Sequence, residues 1–166
     1  MNWRINTWEL PADERVREHN LRAYAPNLPA LRKQAQRDLA AAIRARVEPA
    51  GYVEQEKDVW VRSNAACKTY VQIQKGRDGV SCSINIGRED PLEATVPSYK
   101  NGSAWRLAHF EDTSEKFNRV EAHYYYDLAT DHDFLPYLMQ LMDERVLHFL
   151  MCSHLGVGLT ERPPRG

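Results

Sequence analysis

A chain of 166 residues with 43% apolar and 27% charged side chains can bury one domain-sized core and does not have a fibrous or disordered composition. Its formal net charge of -1 gives no global field for nucleic acid or an anionic bilayer, and no apolar run approaches the ~20 residues of a membrane span. The three cysteines, Cys67, Cys82 and Cys152, are odd in number and widely spaced, which fits reduced thiols in a cytoplasmic protein better than a disulfide framework.

Residues 1 to 27 read as an arm. Met1 to Asn6 lacks the apolar centre of a signal peptide. Trp3, Ile5, Trp8 and Leu10 are apolar enough to dock on the domain, and Pro11 opens a short helix with Asp13 and Glu14 in its first turn. Pro26 and Pro29 bracket a break. From residue 28 to 48 the spacing predicts a helix capped by Asn27: Leu28, Leu31, Ala35, Leu39, Ala42, Ile43 and Val47 recur at steps of three and four. Pro49-Ala50-Gly51 ends it.

A strand comes next at Val59-Trp60-Val61, and then a hairpin that organises the chain. Thr69, Val71 and Ile73 alternate with Tyr70, Gln72 and Gln74; Val80, Cys82, Ile84 and Ile86 alternate with Ser81, Ser83 and Asn85. Asp78-Gly79 is a two-residue hairpin loop by type, and it sets Ile73 opposite Ile84 and Val71 opposite Ile86. One face is then aliphatic and the other polar, either solvated or a binding surface. Cys67 falls level with Asp90, not with Cys82.

Residues 87 to 102 read as loop. Trp105, Leu107 and His109 alternate as a fourth strand. Val120, Ala122, Tyr124, Tyr126 and Leu128 read as a fifth, with a helix competing over 117–128 because Glu and Ala favour it. The last element is a long helix over 133–154, opened by a Thr130/Asp133 capping box. Phe134, Leu138, Leu141, Met142, Arg145 and Phe149 mark its inner face, and 146–152 is apolar enough to be buried on most sides, with His148 as a hydrogen-bonded core residue. Gly156 stops it, and 160–166 is a frayed tail. The fold class is α+β: residues 1–159 form a single domain, a mainly antiparallel sheet packed by a helix in the N-terminal half and a long C-terminal helix.

The block Val47 to Asp90 resembles the bacterial domain-of-unknown-function family 4304. Ala50-Gly51-Tyr52 stands for that family's Leu-Gly-Phe corner, Val59-Trp60-Val61-Arg62 for its aromatic-basic strand, Gln74-Lys75 for its Leu-Gln-Lys strand and Asn85-Ile86-Gly87 for its Ile-Asn-Leu-Gly strand. The resemblance covers about a quarter of the chain. It implies a small α+β protein and no activity; by analogy of fold such proteins resemble immunity proteins encoded beside secreted toxins.

No motif for chemistry stands out. The six histidines show no HExxH or CxxC…H spacing, so neither metal nor cofactor is expected. The densest acid-base group is Asp127, Asp131, His132 and Asp133 at a strand-to-helix junction; helix capping accounts for Asp131 and Asp133 without a reaction. Cys82 points to the aliphatic face and reads as a small core residue. Arg32, Lys33, Arg37, Arg44 and Arg46 form a basic helix face, a nucleic-acid surface in one reading and a solvated face in the other. These absences leave partner binding, with Tyr70, Gln72, Gln74, Tyr125 and Asp127 on the polar face as candidate contacts and no catalytic residue. An immunity-type inhibitor is the leading reading, an enzyme built on 127–133 the first alternative and a nucleic-acid binder the second.

Overall fold

The structure is a computed structural model that describes residues 26–77, 81–89, 104–110, 128–130 and 132–155. The arm up to residue 25, the Asp78-Gly79 loop, the expected fifth strand apart from Leu128, Gly156 and the tail lie outside these. Helix α1 spans Leu28–Val47; after it come strands β1 Val53–Glu56, β2 Val59–Ser63, β3 Lys68–Lys75, β4 Cys82–Glu89 and β5 Ala104–Arg106. The C-terminal helix is α2 Phe134–Leu141, a π-turn Met142–Val146 and α3 Leu147–His154. The five strands form one antiparallel sheet in sequence order, with α1 and the C-terminal helix on one face, an α+β fold.

The central hairpin has the register its alternation requires. Ile73 pairs with Ile84 and Val71 with Ile86. Trp60, Val71, Ile73, Cys82, Ile84 and Ile86 are all buried against Leu39, Ile43 and Val47 of α1 and Phe134, Leu138 and Leu150 of the C-terminal helix. α1 buries Leu28, Ala35, Leu39, Ile43 and Val47, whereas Leu31 lies on the flank of that stripe and is 40% exposed. Asn27 sits at the N-cap, but its side chain makes no cap bond. It adopts φ 58°, and its carbonyl takes the amides of Ala30 and Leu31 at 2.9 and 3.0 Å. Pro29 does not break the chain either; it fits the first turn, where no amide partner is lost.

Other expectations are corrected. β1 has no counterpart among the strands expected from alternation: it is a mostly exposed edge strand, so it shows no apolar pattern. It returns into β2 through Lys57 and Asp58, where Asp58 takes φ 64° and donates its amide to Glu54 at 3.1 Å. The strand at Trp105 is short. After Arg106 the chain turns into a 3₁₀ segment, Leu107–Phe110, whose three-residue period buries both Leu107 and Phe110. Leu128 belongs to a helical turn, not a strand. Asp133, not Thr130, is the N-cap of α2, so the capping-box register is shifted. The π-turn adds a residue to one turn of the C-terminal helix and so rotates the residues after it about the axis. Val146, Phe149 and Leu150 go inward; Arg145 moves to the flank and donates to the Phe110 carbonyl at 3.0 Å. The same rotation leaves His148 exposed rather than in the core.

Candidate functional site

Thr69 is the one buried polar residue on the inner face of β3, and a buried hydroxyl needs partners. It has two. Tyr52 Oη lies 2.6 Å from Thr69 Oγ1, and Thr69 Oγ1 lies 2.6 Å from His154 Nε2. On the other side of the ring, His154 Nδ1 is 3.6 Å from Cys67 Sγ, which is 3.4 Å from the Ser153 carbonyl. A single assignment uses every donor: Tyr52 donates to Thr69, Thr69 to Nε2, Nδ1–H to the sulfur, and the thiol to the carbonyl. Asn64 Nδ2 donates to the His154 carbonyl at 3.0 Å and closes the end of α3 onto the sheet. Gly51 at φ 87° makes the corner that delivers Tyr52, and the Arg62 guanidinium beside that corner donates to the Ala50 carbonyl at 2.9 Å. The inward threonine, and the four-residue steps Val146, Leu150, His154, were the signals in the sequence for this chain of bonds.

A thiol beside an imidazole resembles a nucleophile with its base. The surroundings decide otherwise. Cys67 is 1% exposed and His154 5%. Burial pushes the Cys67 thiol up, and the pull of Arg88 and Arg62 offsets that only in part. Burial, then Arg62 and Arg88, pushes His154 below the ordinary histidine value. At neutral pH the pair is a protonated thiol against a neutral imidazole, and neither group can meet a substrate. Burial likewise pushes Tyr52 up to about 12. The group is a clamp between β3 and α3, not a reaction centre.

The opposite face of the sheet is not the uniformly wet surface its polar alternation implied. Tyr70 is 3% exposed, with its ring lying over Gly87, which corrects the expectation of an exposed anchor there. Its hydroxyl makes no hydrogen bond among the described residues, and burial, with the nearby Glu89, raises its pKa. Asn85 is also buried; its amide donates to Gln74 at 2.8 Å and Gln72 at 3.2 Å, a side-chain ladder across the hairpin. Gln74 is exposed and Gln72 half-buried, so they present their outer amide groups. Beside them lies a depression of about 90 Å³ lined by Gln55, Glu56, Val59, Val61, Lys68, Tyr70 and Gln72. Val59 and Val61 give it an apolar floor that alternation within single strands does not reveal, because it forms only where β1 and β2 lie beside β3.

Tyr125, Asp127 and Asp131 lie outside the described residues. His132 is exposed and Asp133 half-buried at the start of α2. The basic face of α1 is partly neutralised: Arg44 meets Glu54 at 2.6 Å and Arg46 meets Asp143 at 2.9 Å. Among the described residues no group of three or more His, Cys, Asp or Glu is placed to hold a metal, and no helix is long and apolar enough to cross a membrane. No family model, curated protein or solved structure matches the chain.

Proposed function

We propose that this chain is a non-catalytic protein that acts by binding another protein through the second face of its sheet, in the manner of an immunity-type inhibitor against a toxin. The supporting observation is the depression over Val59 and Val61. Its volume of about 90 Å³ is well below the ~300–1,000 Å³ of a cofactor or drug-sized site. It suits one side chain of a partner: an apolar floor, flanked by the amides of Gln55 and Gln72 and the opposite charges of Glu56 and Lys68. The edge of β1 is a poorer docking place. A bulge between Glu54 and Glu56 and the two carboxylates blunt it against strand addition. The toxin as partner rests on analogy of fold alone, and Tyr125 and Asp127 remain proposed contacts from the neighbouring segment.

The first partner to test is the product of the neighbouring gene, by calorimetric titration. Val59→Asp and Gln72→Arg each weaken the complex by roughly tenfold or more, about 1.4 kcal/mol, with melting temperatures close to the parent. Lys33→Ala, on the far side of α1, has no effect. Full affinity in both sheet variants would remove this face from the interface.

A further inference from the structure

Helix α3 is not buried on most sides as its apolar run implied: it buries Phe149, Leu150, Ser153 and His154, and the opposite stripe looks outward. His148, Met151 and Leu155 are exposed and Cys152 is half-buried. Steps of three and four place them on one helix face. Of the four exposed large apolar side chains among the described residues, two, Met151 at 36% and Leu155 at 70%, border this stripe. The other two members are metal-ligand types. His148 Nε2 lies 3.6 Å from Cys152 Sγ. Zinc binds thiolate sulfur at about 2.3 Å and imidazole nitrogen at about 2.0–2.1 Å, and a tetrahedral angle between those bonds separates the donors by about 3.5 Å. The two side chains share a thiol–imidazole hydrogen bond whose span equals that between two neighbouring ligands of a tetrahedral zinc. Distance alone does not mark them, since Cys67 and His154 are equally close. That second pair is sealed, with its outer nitrogen held by Thr69. The His148–Cys152 pair opens to solvent.

Structural zinc takes four ligands, and the described residues of one chain supply no third here. A second copy related by a two-fold axis supplies the same two donors again, because a two-fold interface brings identical patches together. We propose that zinc bridges two copies of this chain through His148 and Cys152 of each, with Met151 and Leu155 packed around the site. Each thiol releases its proton to solvent on binding. Two thiolates then balance the ion, so zinc and its four ligands carry no net charge; the nearest cation on this face is the Arg62 guanidinium, which donates to Met151 Sδ at 3.0 Å. This inference does not depend on the sheet-face reading, because it uses another surface.

The test uses the full chain, metal-stripped and held reduced with a phosphine. Cobalt is titrated as a spectroscopic stand-in for zinc, and mass is measured by light scattering with zinc present. The expected result is thiolate-to-cobalt charge-transfer absorption and tetrahedral d–d bands that saturate at half an equivalent per chain. The mass doubles with zinc and returns to the monomer value with chelator. Cys152→Ser and His148→Ala each abolish the bands and the doubling, leave the metal-free melting temperature unchanged, and Cys67→Ser keeps both signals. A monomer mass in saturating zinc, saturation at one equivalent per chain, or doubling that survives in Cys152→Ser would each overturn the proposal.

Discussion

Thr69 carries more than its own hydroxyl, because it joins Tyr52 on the β1 side to His154 on α3. Thr69→Val keeps the shape and leaves two buried polar groups without that partner. The expected cost is about 1–3 kcal/mol in a urea titration. Ser83→Ala, on the outer face of β4, is expected to stay within about 0.5 kcal/mol. Equal costs would mean that the bonds through Thr69 contribute nothing. Tyr70→Phe has the opposite expectation. The Tyr70 hydroxyl is buried without a hydrogen bond among the described residues, so removing it leaves stability unchanged or raises it. A loss of more than about 1 kcal/mol would reveal a partner for that oxygen. Residue-level burial was only half legible in the sequence. Alternation correctly assigned Ile73 and Ile84 to the core, but a tyrosine and an asparagine on the polar face are also buried, and periodicity carries no information about what lies over that face.

On the outer side of the β3–β4 hairpin, beyond the Asn85 ladder, an aromatic ring covers a glycine. Tyr70 lies on Gly87, and a Cβ there would overlap its ring. Gly87→Ala must therefore expel Tyr70 or part the strands, and a cost of about 1–3 kcal/mol is expected; Gly87→Ala combined with Tyr70→Ala recovers part of it if the clash is the cause. The link between α3 and the sheet depends on pH. His154 titrates lower when folded than its ordinary value of 6.5. The unfolded chain therefore binds the proton first as pH falls. Stability is complete above about 6.5 and declines as pH drops from there through the folded value. Melting temperature at pH 7.5 and 5.5 should fall more steeply for the parent than for His154→Gln, and identical slopes would dismiss the imidazole as the sensor. The long C-terminal helix was legible as an element. Its π-turn was not, because a one-residue insertion leaves the apolar content unchanged and only rotates the faces, which is why His148 is exposed and His154 is buried.

At the scale of the molecule, the near-zero net charge and the pairing of Arg44 and Arg46 with carboxylates leave little for phosphate to hold. Duplex DNA should show no saturable binding at about 0.15 M salt. A tight complex whose affinity falls steeply with added salt would reinstate α1 as a nucleic-acid surface. The core, by contrast, is expected to behave as one unit: Ile84→Ala, fully buried between the hairpin and the helices, should cost about 2–5 kcal/mol.

Periods of two and of three to four in apolar residues are local, and they were enough to set the α+β class, the hairpin register and a helix over 28–48, one residue beyond its observed end. Side chains repeat with backbone geometry, and a single buried face fixes the register. What meets across that face is not local. The Tyr52–Thr69–His154–Cys67 clamp joins residues up to 102 positions apart in the sequence. The depression needs β1 beside β2, and β1 is an edge strand without an apolar pattern. The sequence alone determined which aliphatic residues face inward along α1 and the central hairpin. Only the tertiary structure decided which inward polar groups find one another, and which outward face is covered, because those depend on the packing of elements whose own sequences do not mention each other.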